Sequence, residues 1–156
     1  MVREFFAPVP NKSVTVPRLD QPLPPFDDEC LRQLLRFVPV KDKDVLSLLW
    51  PSLPYSQPEY RSQPLKYLQH LFGHEGKNSL LSYLKQEGLA LELSSYSDHD
   101  LWAISSFYVD ITLTKKGLVE YERVISSVFK YAQVVRDSGI QEYVFEECRR
   151  VGELEF

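Results

Sequence analysis

The sequence predicts an α+β fold in which a mainly antiparallel sheet is covered by helices. Two observations support this prediction. All eleven prolines lie at or before Pro64 and all six glycines at or after Gly73, so an extended, turn-rich part precedes a part in which glycines separate regular elements. Apolar residues then recur at the spacing of strands and at the spacing of helices, with no internal repeat.

Length and composition indicate one domain and exclude several functions. The 156 residues, 44% of them hydrophobic, can bury an ordinary core. A net charge of −4 gives no basic surface for nucleic acid, and no apolar run approaches membrane-spanning length. Cys30 and Cys148 lie far apart and residues 1–30 lack the layout of a signal peptide, so we expect idle thiols and a cytoplasmic location.

The first thirty residues are predicted to be a linker or an extended strap. They hold six of the prolines, which remove backbone donors and disfavour helix in the preceding residue. Residues 31–156 are expected to form the α+β domain. Because the last predicted helix reaches Phe156 without a cap or a breaker, we expect the domain to be truncated there and the natural protein to continue on both sides.

Two strands are predicted before the first helix. Residues 34–40 and 45–50 are apolar runs on either side of the polar turn 41–44, which is typical of an antiparallel hairpin. The second run is apolar on both faces, so we expect a central strand with cover on each side.

A second strand pair is predicted further along the chain. Residues 89–97 alternate as a half-buried strand does, with an inner face made of Leu89, Leu91 and Leu93. Residues 98–100 (DHD) are typical of a charged turn, which we prefer to a catalytic arrangement around His99. The strand over 101–113 is expected to bury one alternate set, made of Phe107, Val109, Ile111 and Leu113.

The stretch 64–88 is predicted to form two short helices joined by a glycine-bearing elbow at residues 70–76. Leucines at helical spacing supply the inner face of both helices. Four residues are expected at the helix ends: Ser62 and Asn78 as N-caps, and Gly73 and Gly88 as left-handed C-terminal residues.

Two longer helices are predicted over 115–137 and 140–156. Thr114 is expected to cap the first of them and Gly139 to end it. Its apolar stripe consists of Leu118, Tyr121, Ile125, Val128, Ala132 and Val135.

The elbow has some features of a metal site. His70 and His74 are one helical turn apart, as zinc ligands on one helix are. Neither H-E-x-x-H nor H-x-x-E-H is present, and Gly73 would interrupt the helix that holds such ligands. The sequence also lacks a phosphate loop and a nucleophile with its base, so we expect neither a metal nor a catalytic residue in this chain.

A glycine-bearing elbow beside a strand suits the capture of a peptide. The edge of a strand offers main-chain hydrogen bonds to an extended peptide, and a neighbouring carboxylate can bind an amino terminus.

Three runs carry a family resemblance: residues 70–88 (HLFGHEG, then SLLSYLKQEG from 79), 109–118 (VDITLTKKGL) and 141–148 (QEYVFEEC). In this order they resemble the insulysin, nardilysin and pitrilysin family of zinc metallopeptidases, over about residues 30–156. The resemblance implies a clamshell of two halves, each made of two related α/β domains, around a chamber. The zinc motif of that family, H-x-x-E-H with a distant Glu, belongs to the first domain and is not in this sequence, which resembles the first part of the second domain.

The resemblance implies that this domain is a non-catalytic exosite, which anchors the N-terminal end of a peptide substrate as an added strand. Its other partners would be an upstream catalytic domain, which holds the zinc, and the C-terminal half of the longer protein. The implicated residues are His70, Gly73, Glu75, Gly76, Leu93, Ser94, Ser95, Tyr96 and Ser97. Members similar to insulysin have two glycines in place of Ser95 and Tyr96, and glycine allows a closer approach of the ligand backbone.

An alternative hypothesis is a scaffold subunit of the same fold, as among the non-catalytic relatives of mitochondrial processing peptidases. The role of such a subunit is assembly. A third possibility is a domain retained only for packing, because a shared fold does not guarantee a working site. The presence or absence of H-x-x-E-H in the coding sequence upstream distinguishes the first two hypotheses.

Overall fold

A three-stranded antiparallel sheet forms the centre of the described structure. The computed structural model describes residues 6–10, 12–14, 29–40, 43–52, 62–101 and 104–155. Within this part of the chain the strands are β1 (Val45–Ser52), β2 (Ala90–Leu101) and β3 (Ile104–Leu113). Their order is β1-β3-β2, so β3 is central and pairs antiparallel with both neighbours.

Five helices accompany this sheet in the described residues. Two of them, α1 (Pro64–Gly73) and α2 (Leu80–Gln86), lie between β1 and β2 in the sequence. The other three, α3 (Lys115–Val119), α4 (Tyr121–Ser138) and α5 (Glu142–Glu155), follow β3. The predicted α+β fold, with an antiparallel sheet and covering helices, is confirmed.

One face of the sheet, called the inner face, packs against the helices. The four residues of β3 that the sequence predicted to be buried are each at most 6% exposed: Phe107, Val109, Ile111 and Leu113. Leu84 of α2 and Val124 and Val128 of α4 are fully buried in the same cluster. Burial of a side chain of this size contributes about 1.5–3 kcal/mol, so this layer holds the helices on the sheet.

The opposite face, called the outer face, is more open. The pairing register places Leu49, Tyr108 and Tyr96 in one cross-strand row and Ser47, Asp110 and Ser94 in the next. Leu49 remains 48% exposed and Tyr96 44% exposed. Side chains on the outer face are therefore partly accessible to solvent on both β1 and β2.

The predicted strand over 34–40, and with it the predicted hairpin, is wrong. These residues form no strand, and Val38 is 95% exposed. Pro39 gives a physical reason, because it has no N–H to donate to a strand ladder. The segment is held instead by Arg36, whose Nη2 donates a hydrogen bond to the hydroxyl of Tyr121 at 2.7 Å.

The prediction that β1 is a central strand is also wrong. β1 lies at the end of the sheet in the described structure, with β3 on one side. Val45 and Leu49 on its outer face are each 48% exposed. A run that is apolar on both faces therefore marks an exposed apolar strip here, not a doubly covered strand.

β2 is longer than predicted. It continues through residues 98–100, which were expected to form a turn, and ends at Leu101. The connection to β3, residues 102–103, lies outside the described residues. The strand available beside the elbow is consequently twelve residues long.

A bulge interrupts the predicted alternation at the start of β2. The register shifts between Ala90 and Glu92, so that Leu91 points outward and is 55% exposed. Leu89 and Leu93 are buried as predicted. The alternation of leucines in the sequence therefore does not correspond to one face of the strand.

Three of the predicted helix ends are confirmed. The hydroxyl oxygen of Thr114 accepts a hydrogen bond from the N–H of Gly117 at 2.9 Å and so caps α3. Gly88 and Gly139 follow α2 and α4 with φ of 69° and 66°, in the region that favours glycine. The helix predicted over 115–137 is nevertheless divided in two at Glu120.

The predicted N-caps Ser62 and Asn78 are wrong by one residue each. Gln63 precedes α1 without a side-chain cap, and Pro64 begins the helix. Ser79 caps α2, because its hydroxyl accepts from the N–H of Ser82 at 3.1 Å. Asn78 has a φ of 68° instead, a turn conformation that asparagine tolerates.

The predicted strap over 1–30 lies largely outside the described residues. The structure describes residues 6–10, 12–14 and 29–30 of it. Phe6, Val9 and Val14 are exposed there.

Candidate functional site

The C-terminal half of α1 lies against the inner face of β2. The hydroxyl of Ser95 donates to the carbonyl oxygen of Gln69 at 2.8 Å, and the amide of Gln69 donates to the hydroxyl of Ser97. A Cβ at Gly73 would lie 3.0 Å from the Ser95 hydroxyl oxygen. Gly73 is thus the place where the helix approaches the strand closely, and it does not adopt the left-handed conformation that the sequence suggested.

The elbow after α1 combines one anchored and several exposed residues. His70 is half-buried, and its Nε2 lies 3.6 Å from Oε2 of Glu147 on α5. His74, Glu75 and Gly76 are exposed. The predicted carboxylate of the site is therefore accessible, whereas His70 connects two helices.

The ring of His74 lies close to the second glycine of the elbow. A Cβ at Gly76 would lie 2.5 Å from Nε2 of His74. Because the His74 side chain is exposed and can turn away, this contact does not require glycine at position 76.

The histidines of the elbow do not fit a zinc site. The rings of His70 and His74 are 6.2 Å apart, centroid to centroid, and inclined by 31°. No group of three or more His, Cys, Asp or Glu residues that could hold a metal is found among the described residues. The site therefore offers no ligand set for the metal of a zinc peptidase.

The site residues on β2 divide between the two faces of the sheet. Leu93 belongs to the core, and Ser95 and Ser97 face α1. Ser94 and Tyr96 lie on the outer face, in rows with β3. In the described structure β2 pairs with β3 alone, and the side of β2 away from β3 is called the β2 edge.

Tyr96 belongs to a polar and aromatic group on the outer face. Its ring stacks on Tyr108 with centroids 4.8 Å apart and planes inclined by 8°. Its hydroxyl donates to Oδ2 of Asp110 at 3.1 Å, while Oδ1 of Asp110 is buried without a hydrogen-bond partner in the part of the chain that is described. Burial raises the pKa of Tyr96, and the hydrogen bond to the Asp110 carboxylate acts in the same direction.

Sequence reasoning missed Tyr108, Gln69 and Glu147 as neighbours of the site. Asp110 lies on the outer face, because it alternates with the residues of β3 that the sequence predicted to be buried. Tyr108 has the same parity as Asp110, but only the register of β3 against β2 places it beside Tyr96. The contacts of Gln69 and Glu147 depend on helix packing, for which the sequence contains no local pattern.

A cavity elsewhere in the molecule contains none of these residues. It measures about 310 Å³ and lies between the sheet, α1 and α4. Its lining is almost entirely apolar and consists of Trp50, Leu65, Leu68, Phe72, Phe107, Ala132, Val135 and Arg136. It is an open seam beside the core and lacks the polar groups that orient a ligand.

Comparisons with known proteins identify the family. Residues 1–151 match the model of the Peptidase M16 inactive domain, so the chain belongs to the M16 peptidase family, in the part described as the inactive domain. It is 38% identical over 156 residues to insulin-degrading enzyme of Homo sapiens, with 100% of this chain and 15% of that protein covered. It is 34% identical over 161 residues to nardilysin of Rattus norvegicus, with 99% and 14% covered.

A solved structure confirms the fold. The crystal structure of pitrilysin matches 67% of this chain and 11% of its own, with a TM-score of 0.63 and 24% identity. The insulinase-like family suggested by the sequence is thereby confirmed, both in sequence and in fold. The chain spans only 14–15% of the length of the curated relatives named above.

Among the described helices, none is long and apolar enough to cross a membrane.

Proposed function

We propose that this chain is the substrate-recognition domain of an insulinase-like zinc metalloendopeptidase that degrades peptides. The domain holds the N-terminal end of a peptide as an added strand along the β2 edge. One observation carries this proposal: in the described structure β2 ends the sheet, and the end of α1 packs on this strand through Gly73 and Ser95, two residues before the exposed Glu75.

The β2 edge supplies the binding of the peptide backbone. A strand at the end of a sheet presents N–H and C=O groups that an extended peptide can pair with. Pairing through main-chain groups does not by itself depend on the peptide sequence. Ser95 and Tyr96 place their side chains on opposite faces of β2. Because neither side chain lies in the plane of the sheet, neither prevents the backbone of β2 from pairing with a peptide.

The end of α1 supplies the binding of the amino terminus. A free peptide amine has a pKa of about 8 and is therefore cationic at neutral pH. The C-terminal end of a helix carries a partial negative charge, and the Glu75 carboxylate adds a full one. The hydrogen bonds from Ser95 to the carbonyl of Gln69 and from Tyr131 to the carbonyl of Leu71 fix this helix end against the sheet and α4.

The rest of the enzyme lies outside this chain in the proposal. An upstream catalytic domain would hold the zinc, because the residues here do not fit a metal, and a C-terminal half would close the chamber over the peptide. We retain the cytoplasm as the proposed location, in line with Cys30 and Cys148, which form no disulfide.

The proposal is tested by the cleavage of matched peptides in the full-length protein. We expect N-acetylation of the peptide to lower kcat/KM by about three- to tenfold, as for an exposed charge-assisted hydrogen bond. Glu75→Gln should cause a similar loss for the free-amine peptide and little further loss for the acetylated one. Glu122→Gln, an exposed glutamate on α4, is the control. Unchanged kcat/KM after both acetylation and Glu75→Gln would contradict the anchoring role of Glu75.

A scaffold subunit of the same fold is the second candidate function. It is favoured by the exposed apolar side chains of residues 34–40, among which Phe37 is 82% and Val40 104% exposed. Such a strip suits permanent assembly with another domain or subunit. The two candidate functions predict different coding sequences upstream of this chain. The scaffold is favoured if that sequence lacks H-x-x-E-H and the whole protein assembles but does not cleave peptides.

A further inference from the structure

We propose that the outer face at Tyr96 is a subsite for an arginine side chain of the bound peptide. The β2 edge would then select peptides that carry arginine at one defined position of the added strand. This inference rests on the proposed strand addition and names the side chain that the same site prefers.

The stacked tyrosines set the direction of the subsite. Tyr96 and Tyr108 are cross-strand partners, and their rings are nearly parallel with centroids 4.8 Å apart. This separation equals the usual spacing of 4.7–4.9 Å between neighbouring strands. The stack therefore runs from β3 towards β2, and the second face of the Tyr96 ring is turned to the place of an added strand.

The hydroxyl of Tyr96 keeps this ring in position. It donates a hydrogen bond to Oδ2 of Asp110 at 3.1 Å, which fixes the edge of the ring. Stacking on Tyr108 fixes one face of the ring. Tyr96 remains 44% exposed, so its other face can receive a ligand. A ring fixed in advance loses little conformational entropy when a planar group stacks on it.

The charges of the outer face favour a cation. Three carboxylates lie on this face of β2 and β3, from Glu92, Asp98 and Asp110. Lys43 pairs with Glu92 at 3.1 Å. The carboxylate of Asp110 is compensated on one oxygen by Tyr96, whereas its buried Oδ1 has no hydrogen-bond partner among the described residues. A positive side chain above Tyr96 would thus lie close to the Asp110 carboxylate that the Tyr96 hydroxyl binds.

Among side chains, arginine fits this combination best. Its guanidinium is planar, stacks on a tyrosine face and keeps its in-plane donors available for hydrogen bonds while stacked. Lysine offers the charge without a plane and is more strongly hydrated. An aromatic side chain would stack but would gain nothing from the acidic surroundings.

Strand geometry makes the preference depend on position. Successive side chains of a strand point to opposite faces, so only alternate residues of the peptide reach Tyr96. The neighbouring positions face Ser95, Ser97 and α1 on the inner side. Arginine should therefore be favoured at one position and lose its effect when moved by one residue.

The test uses the 156-residue chain and fluorescein-labelled, free-amine peptides of uniform serine background, with one guest residue moved along the peptide. Fluorescence anisotropy gives each Kd. At one guest position we expect arginine to bind about three- to tenfold more tightly than its neutral analogue citrulline, with lysine in between. Tyr96→Ala and Asp110→Asn should abolish this preference. Tyr96→Phe should reduce it, because the ring stays but the hydroxyl bond to Asp110 is lost.

Tyr83→Ala is the matched control, because Tyr83 is also 44% exposed but lies on α2. It should leave the preference for arginine intact. Comparing the Kd of the arginine and citrulline peptides for the wild-type chain needs no variant. The inference can therefore be tested even if Tyr96→Ala does not fold.

Three results would overturn the inference. Peptide binding with equal Kd for arginine and citrulline at every position contradicts the subsite and leaves strand addition standing. A guest phenylalanine that binds more tightly than arginine identifies an apolar platform instead. Absence of any peptide binding to the chain contradicts both the subsite and the proposed function.

Discussion

At the scale of single residues, close backbone contacts determine where glycine is required. A Cβ at Gly117 would lie 1.9 Å from the carbonyl oxygen of Leu89, a backbone atom that cannot turn away. A Cβ at Gly152, also within a helix, would meet nothing within 4 Å. The two glycines share a residue type and a helical setting but differ in what surrounds them.

We predict opposite effects of alanine at these two glycines. Gly117→Ala should lower the free energy of unfolding by about 2 kcal/mol or more, because α3 must move away from the start of β2. Gly152→Ala should leave stability unchanged or raise it by up to about 1 kcal/mol, as in an open helix position. Urea denaturation of both variants measures the difference. Equal effects would show that α3 does not pack on Leu89 as described.

Another residue-scale prediction concerns Glu92. The hydrogen bond and the charge of Lys43 lower the pKa of this exposed carboxyl group. Because the pKa is lower in the folded chain, the unfolded chain binds more protons between the two values, and stability rises with pH there. The contribution is complete above the unfolded pKa and is lost as pH falls through the folded one. It is screened by salt, since both groups are exposed.

NMR titration of the Glu92 side chain measures this directly. Lys43→Met should raise the pKa of Glu92 towards its ordinary value, and Lys130→Met on α4 should not. A pKa of Glu92 that is the same in wild type and Lys43→Met would show that the ion pair does not persist in solution.

At the scale of elements, three helix ends were predicted from local preferences, whereas the predictions at Ser62, Asn78 and Gly73 were wrong. Thr114 caps the start of α3, and Gly88 and Gly139 end α2 and α4 with a positive φ. Each of these preferences acts within one helical turn, and all three helix ends were predicted. The bulge after Ala90 was mispredicted for a different reason. Pairing and register depend on partners far along the chain, and an apolar run does not specify them.

The candidate site shows the same division. Its residues could be named from the sequence only through resemblance to a family, and alternation alone placed Asp110 on the outer face. The stack of Tyr96 on Tyr108 and the contact of Gly73 with Ser95 could not be predicted, because each depends on how two elements pack.

The junction between α2, β2 and α3 gives an element-scale prediction. Thr114 accepts from the N–H of Gly117 at 2.9 Å and donates to the carbonyl of Gly88 at 2.7 Å. Thr114→Ala removes both bonds and should lower the free energy of unfolding by about 1–2 kcal/mol. Thr114→Ser retains the hydroxyl and should lose less than half of that. Similar losses in thermal or urea unfolding for both variants would mean that the methyl group, not the cap, stabilises the junction.

At the scale of the whole molecule, the sheet has two ends with different surroundings in the described structure. β1 ends it and directly follows residues 43–44, whereas β2 ends it beside α1. Both strands could accept a peptide by backbone pairing alone. In the proposal, the β2 edge also uses the Glu75 carboxylate and the Tyr96 ring as binding groups, so a free-amine peptide should distinguish the two edges.

Amide hydrogen exchange of the 156-residue chain with a saturating free-amine peptide tests this central claim most directly. The account predicts that exchange slows at alternate residues of 92–98, where the β2 edge gains hydrogen bonds, and stays unchanged in β1, which serves as the internal control. Exchange that is unaltered in β2, or that slows in β1 instead, would contradict the assignment of the β2 edge as the peptide-binding site.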